Sequence, residues 1–390
     1  MDKILYITPY LPFPNNKAAN LFISKRIELL SKEFNIDLLS ITNGSYDTDI
    51  SKYKINKYIN NFDFIIRKKV NVFDMLKTLL KKEMLFNTLS VKIIDKINTL
   101  LQQQEYKYII IEHSYLASFI LKNIPKISSK AVIVFHNIET DYFKDLFQKT
   151  SIFNPKKYFY YLEYRGCKRL EDKLFSKNIK AFLFLSEQDL IFVKKKTRNK
   201  NLLLSTTINF NLKNHWDTKK EYDLLYMGQL DNERNLHGLK WFIKDVYSGI
   251  SHLSFAIAGR GDISHIQKII KNYNNIDLIG EVENLDDIFA KSKITVLPIF
   301  NTIGVQTKLF DALSQGNILI CTQDAIKGTP FKNKQHLIVA KDKEEFKSQI
   351  LQVIDDIETY KYIYKNLEEF QKSFNDKKLL VDMKRSLYEK

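Results

Sequence analysis

Along this chain, short apolar runs alternate with longer stretches in which apolar residues recur every three or four positions. The runs are rich in Ile, Val and Leu. They fall at 3–8, 36–41, 62–66, 108–112, 131–136 and 181–185, and again at 223–227, 255–258, 276–279, 294–297, 318–321 and 337–339. Apolar segments this short, bounded by polar turns, read as strands, and the 3.6-residue patterns between them read as helices. Strands apolar on both faces and separated by helices belong to parallel sheets covered on both sides. The expected class is therefore α/β, with doubly wound parallel sheets. The alternation stops at 209–221, a polar stretch without periodicity, and restarts with Asp223-Leu-Leu-Tyr-Met-Gly228. A domain boundary is expected there, and 343–388 reads as two or three helices. Ligands of doubly wound sheets sit at the carboxyl ends of the strands. Unusual residues collect at those ends: 8–17, His113, His136-Asn-Ile-Glu139, Gly228, Gly259-Arg-Gly261 and 304–316.

Composition adds bounds. With 390 residues the chain is long enough for two domains of ordinary size, and a hydrophobic content of 44% lets each bury a core. Two cysteines, Cys167 and Cys321, lie inside element patterns, which fits a reducing compartment and no disulfide framework. No apolar run approaches the ~18 residues of a membrane span. The segment Met1–Thr8 is too short for a signal peptide and reads as a first strand. A cytoplasmic protein is expected. The formal net charge of +16 is one-sided: residues 1–215 hold 36 Lys and Arg against 20 Asp and Glu, whereas 216–390 hold 25 of each. Such a field draws anionic partners, or serves only as a solubilising Lys-rich surface.

The most informative stretch is Gly304-Val-Gln-Thr-Lys-Leu-Phe-Asp-Ala-Leu-Ser-Gln-Gly316, followed by the apolar run Asn317-Ile-Leu-Ile-Cys321. A small-residue turn enters a short amphipathic helix, Gly316 stops it, and a buried strand follows. The start of such a helix offers N–H groups to an anion. Lys308 sits in the first turn, where a cation opposes the macrodipole, and a broken local rule of this kind suggests a bound anion that compensates. Asp311, one turn on, is placed to accept hydroxyls of the same ligand. The unit reads as a site for the diphosphate and ribose of a sugar nucleotide.

In order and spacing these pieces resemble the family 4 glycosyltransferases, whose GT-B fold has two Rossmann-like domains facing a central cleft. Met227-Gly-Gln-Leu-Asp231 resembles the opening loop of the family's donor domain, and Ala256-Ile-Ala-Gly-Arg-Gly261 its second strand and glycine turn. Ile279-Gly-Glu-Val282 with Ile294-Thr-Val-Leu-Pro298 resembles the next two strands, and 304–316 the acidic helix motif. The resemblance implies an acceptor-binding domain at 1–210, a nucleotide-sugar-binding domain at 221–372, and a helix at 373–390 that crosses back to the first domain. It implies retaining transfer of a sugar from a nucleotide-sugar donor to a glycan or lipid-linked acceptor, in bacterial surface polysaccharide synthesis, with no cofactor and no metal. Departures from the pattern are Ile303 where the family's first acid stands, Asp311 as the second, Gln229 where an arginine is usual, and Pro12-Phe-Pro-Asn-Asn-Lys-Ala-Ala19 in place of paired glycines.

Under this resemblance Lys308 and Arg234 neutralise the departing diphosphate. His136, at the end of its strand, bonds a hydroxyl of the donor sugar and helps hold the developing oxocarbenium ion. Gly228, Gln229, Arg260, Gly304, Val305, Gln306, Thr307 and Asp311 hold the nucleotide. Each has a plainer alternative: Arg234 a solvated loop charge, Asp311 a helix-surface carboxylate, His136 a strand-end histidine in a turn. His113 reads as structural. Glu139 and Asp141 read as N-capping carboxylates or as acceptor contacts. Between 65 and 96, Phe73, Leu76, Leu79 and Leu80 recur at helical spacing beside Lys77, Lys81 and Lys82. That stripe suits an anionic membrane surface, giving a peripheral location, or a helix packed on its own sheet. No aromatic–basic module of a nucleic-acid binder is present. Two rival functions remain at this level: a non-catalytic GT-B scaffold or partner subunit, and a sugar-nucleotide epimerase.

Overall fold

Buried strands need apolar residues on both faces and helices need one apolar stripe, and the chain folds along that division. The computed structural model describes residues 1–13, 18–42, 49–67, 91–204, 210–282, 284–300, 306–373 and 376–388. Two compact units emerge: Met1–Ile208 with Asp376–Lys390, and Asn209–Asn375. The first runs β1 (Lys3–Thr8), α1 (Ala18–Leu30), β2 (Asn35–Thr42), β3 (Asn61–Ile66), α2 (Val91–Gln103), β4 (Tyr108–Glu112), α3 (Ser114–Asn123), β5 (Ala131–Phe135), α4 (Glu139–Lys149), α5 (Lys156–Phe175), β6 (Ala181–Phe184), α6 (Glu187–Lys194) and β7 (Asn201–Leu203). Its strands form one parallel sheet in the order β3-β2-β1-β4-β5-β6-β7.

The second unit runs β8 (Tyr222–Met227), α7 (Glu233–Trp241), β9 (Phe255–Ala258), α8 (Ser264–Ile270), β10 (Ile276–Gly280), α9 (Leu285–Ala290), β11 (Ser292–Leu297), α10 (Thr307–Ser314), β12 (Ile318–Thr322), β13 (Ile338–Ala340), α11 (Lys343–Asp355) and α12 (Lys361–Ser373). Its parallel sheet has the order β10-β9-β8-β11-β12-β13. The last helix, α13 (Asp376–Tyr388), belongs to the first unit. There Lys384 pairs with Glu33 at 2.7 Å, and the Tyr388 ring stacks 6.0 Å from Phe34.

The sheet interiors are dry. Ile109, Ile110 and Ile111 of β4 are essentially without exposure, as are Ile133, Phe135, Phe182 and Phe184 beside them. Each such side chain contributes about 2 kcal/mol by leaving water. Both sheets reverse strand order once, between β1 and β4 and between β8 and β11. Those reversals open crevices at the carboxyl strand ends, where doubly wound sheets hold ligands.

One glycine fixes the floor of the second crevice. Gly259 has φ 148°, and a Cβ there would lie 1.7 Å from the carbonyl oxygen of Gly228. Gly259→Ala is expected to lower stability by about 2 kcal/mol or more, read as a fall in the urea midpoint. An unchanged midpoint contradicts this close approach.

Candidate functional site

In the second unit a pocket of about 260 Å³ lies at the β8/β11 reversal, lined by Tyr226, Gln229, Asn232, Arg234, Asn235, Pro298, Ile299, Phe300, Gln306 and Lys308. Asn232 caps α7, accepting from the N–H groups of Arg234 (3.1 Å) and Asn235 (3.3 Å). That cap holds Arg234 at the rim, where its guanidinium has no hydrogen-bond or ion-pair partner among the described residues. Asn235 donates to the Gln229 carbonyl at 2.9 Å and accepts from the Lys308 ammonium. Ile299 donates to the Thr322 hydroxyl at 3.0 Å, which anchors 298–300 to β12.

Lys308 therefore sits on the first turn of α10, and burial lowers its ammonium to about 8. No carboxylate among the described residues neutralises it, and its hydrogen bond goes to the neutral amide of Asn235. The Gln306 side chain makes no cap bond to α10, so this helix start and two cations converge on one cavity. Partial positive charge, a desolvated ammonium and an exposed guanidinium in one pocket make an anion site.

The sequence-based residues fall unevenly around this pocket. Lys308, Arg234, Gln229 and Gln306 line it. Gly228 lies beneath it: a Cβ there would stand 3.5 Å from the Lys308 ammonium. Asp311 follows one turn along α10 outside the lining. It is open to water, yet enough protein surrounds it for desolvation to raise its carboxyl to about 6. Arg260 is also outside the lining, and its carbonyl accepts from Leu230 N–H at 2.8 Å, holding the 228–231 loop. Ile303, Gly304 and Val305 lie outside the described residues, as does the 68–90 part of the basic stripe; α10 starts at Thr307. Asn235, Tyr226 and Pro298–Phe300 were not singled out from sequence.

The first unit carries a second cluster at its own reversal, between β1 and β4. Glu112, the last residue of β4, is fully buried and accepts from Arg26 Nη2 at 2.8 and 2.9 Å, Arg26 Nε at 3.0 Å, and the Tyr6 hydroxyl. His136, one residue past β5, meets Glu112 Oε2 through Nε2 at 2.7 Å. Burial would raise Glu112, but Arg26 and His136 hold it down to about 2. Burial and the His113 ring push His136 down to about 4 against the pull of Glu112. At neutral pH the imidazole is uncharged, Nε2–H donates to the carboxylate, and Nδ1 becomes the ring's acceptor.

His113, read from sequence as structural, stacks on His136 at 4.1 Å and 9°. Its φ is 69°, its Nε2 is 3.1 Å from the Tyr10 hydroxyl, and its buried Nδ1 has no hydrogen-bond partner among the described residues. Glu139 and Asp141 occupy the first turn of α4 without capping it. The cap is Glu171, which accepts from the N–H groups of Glu139 (3.0 Å) and Thr140 (3.2 Å) and from the hydroxyls of Thr140 and Ser114. Burial raises Glu171 to about 7 despite these bonds.

Comparison with known proteins agrees with this architecture. Residues 221–356, within the second unit, match the family model Glycosyl transferases group 1. A Klebsiella pneumoniae protein described as an uncharacterized 44.6 kDa protein in the cps region is 28% identical over 97% of this chain and 98% of its own. Among the solved structures that share the fold are these two. One is Anabaena HepE in complex with UDP, at TM-score 0.67, 10% identity and 99% of each chain. The other is WaaG, a glycosyltransferase involved in lipopolysaccharide biosynthesis, at TM-score 0.62, 10% identity, and 99% and 100% of the two chains. The resemblance to group 1 glycosyltransferases and the α/β GT-B class hold.

Proposed function

We propose that this protein is a retaining glycosyltransferase whose second unit holds a nucleotide-sugar donor. The observation that carries the proposal is the desolvated Lys308 ammonium, without a counter-ion among the described residues, sharing a switch-point pocket with Arg234 and the start of α10. When the sugar leaves, negative charge grows on the diphosphate. Fixed cations aimed at that charge stabilise the transition state more than the ground state. Lys308 and Arg234 are assigned this role. Gly228 and Gln229 form the pocket floor, Gln306 and Thr307 bring the helix start to the phosphates, and Asp311 takes ribose hydroxyls. Arg260, Gly304 and Val305 keep the nucleotide-binding roles that the motif resemblance implies.

His136 is proposed as the catalytic residue of the first unit. As a neutral imidazole with Nε2–H tied to Glu112, it presents Nδ1 to a sugar hydroxyl. The first unit is proposed to take a glycan or lipid-linked acceptor. Surface polysaccharide synthesis at the inner face of the cell membrane is the proposed setting, supported by the relative from a cps region. No metal is assigned a part in this proposal: Lys308 and Arg234, which line the pocket, are proposed to neutralise the phosphates.

The test is hydrolysis and transfer measured across a panel of nucleotide sugars. One donor is expected to be turned over, with undiminished rate in EDTA. The kcat/KM is expected to fall above pH about 8, as Lys308 loses its proton. A folded protein that binds a donor without releasing sugar to water or acceptor favours the non-catalytic scaffold, and abolition by EDTA contradicts the metal-free assignment.

A further inference from the structure

The helical hairpin of the first unit ends in an apolar tip. Phe153 is 94% exposed and Ile152 78%, the two highest values among the described large hydrophobic side chains, and Tyr158 nearby is 68% exposed. Below the tip the hairpin is packed: Phe143 and Leu146 of α4 meet Tyr160, Tyr164 and Cys167 of α5, and Phe147 meets Tyr161 at 5.2 Å. The tip is held in shape by Lys157, whose ammonium donates to the Thr150 carbonyl at 2.8 Å. Glu171 of α5 reaches the first turn of α4. The fifteen residues of α5 before it, at 1.5 Å each, therefore carry the tip about 20 Å from the level of the strand ends.

From 146 to 162 the chain has no carboxylate, and its charges are Lys149, Lys156 and Lys157. Tyrosines stand at 158, 160 and 161 of the same segment. An aliphatic–aromatic pair at the apex, with lysine and tyrosine stems behind it, suits the boundary between water and hydrocarbon. The excess positive charge of residues 1–215 is complementary to an anionic surface. We propose that Ile152 and Phe153 insert into an anionic lipid bilayer and that this hairpin tip, at a site distinct from the 65–96 stripe, docks the protein on the membrane. The inference does not depend on the donor reading.

The experiment uses the full chain with phosphatidylglycerol/phosphatidylcholine vesicles, in sedimentation and in fluorescence. Neither Ile152 nor Phe153 is buried, so Ile152→Ser with Phe153→Ser leaves the fold intact, checked by an unchanged melting curve. Wild type is expected to sediment with the anionic vesicles, and the double variant to bind at least tenfold more weakly. In Phe153→Trp, the emission above the background of Trp216 and Trp241 is expected to shift to the blue on vesicles and to be quenched by brominated lipid. Equal binding of wild type and double variant, no vesicle binding by wild type, or a tryptophan that stays in water each overturns the proposal. The last two outcomes are those of a tip that docks on a protein.

Discussion

Lys308→Ala is expected to lower the rate of sugar transfer about a hundredfold while leaving the melting temperature equal to or above that of wild type. Removing a preorganised charge from a developing anion costs on the order of 3 kcal/mol of transition-state stabilisation, which is about two decades of rate. Stability moves the other way because burial lowers the ammonium to about 8, well below an ordinary lysine. The free protein is strained by holding this charge out of water, and a bound diphosphate relieves that strain. Two readouts check the claim together: kcat with the preferred donor, and thermal denaturation without ligand. A variant with wild-type kcat, or one that loses activity only because it unfolds, removes Lys308 from the mechanism. The alkaline fall of kcat/KM above pH about 8 is expected to vanish in the variant.

Glu112→Ala carries the largest expected loss of stability, about 3–5 kcal/mol, because it strands a buried guanidinium. Arg26 and Glu112 are both without side-chain exposure and meet at 2.8 Å. The Arg26 Nη1 atom already lacks a partner among the described residues, and without the carboxylate the guanidinium keeps only neutral neighbours, the Tyr6 hydroxyl at 3.2 Å and the His136 ring at 3.4 Å. Urea unfolding at pH 7.5 reads the effect directly, and a loss below about 1 kcal/mol contradicts it. The pH dependence follows from the same cluster. His136 is held at about 4 in the fold, so the unfolded chain takes up its proton first as pH falls below about 6.5, and stability declines from there towards pH 4. Glu112, held at about 2, contributes stability that is complete above about 4.5 and is lost as pH falls towards 2. The His136–Glu112 cluster is therefore expected to contribute less stability at pH 5 than at pH 7.5, against the opposite trend of Glu171 and Asp311, whose raised carboxyls favour the fold at the lower pH.

The strand pattern was legible because parallel strands buried on both faces leave unbroken apolar runs. All twelve expected strands are present within a few residues of their expected ends. The exception is β7, where Asn201-Leu-Leu203 is too short and too polar at its start to stand out, and pairing with β6 creates it. Lys308 drew notice because a cation beside a helix start breaks a local rule, whereas Arg234 entered through the family resemblance; both line the pocket. Arg26 also left a signal: Phe22, Ile23, Ile27 and Leu30 place it on the buried stripe of α1. Its partner Glu112 lies 86 positions away, and only the β1–β4 crossover joins them. The cap of α4 was illegible for the same reason, since Glu171 lies 32 positions beyond Glu139, outside any local capping pattern. The stacking of His113 on His136 and its positive φ left no mark in the sequence, since the two rings meet only through the pairing of β4 with β5.

The central claim is that the second unit recognises a nucleoside diphosphate through Lys308. The most direct measurement is thermal-shift titration of the purified full chain with a panel of nucleoside diphosphates and nucleotide sugars in EDTA, on wild type and Lys308→Ala. The account predicts a rise in melting temperature with one nucleoside diphosphate, lost or reduced at least tenfold in affinity in the variant. A folded wild type that responds to none of them, or a variant that responds as wild type does, contradicts it.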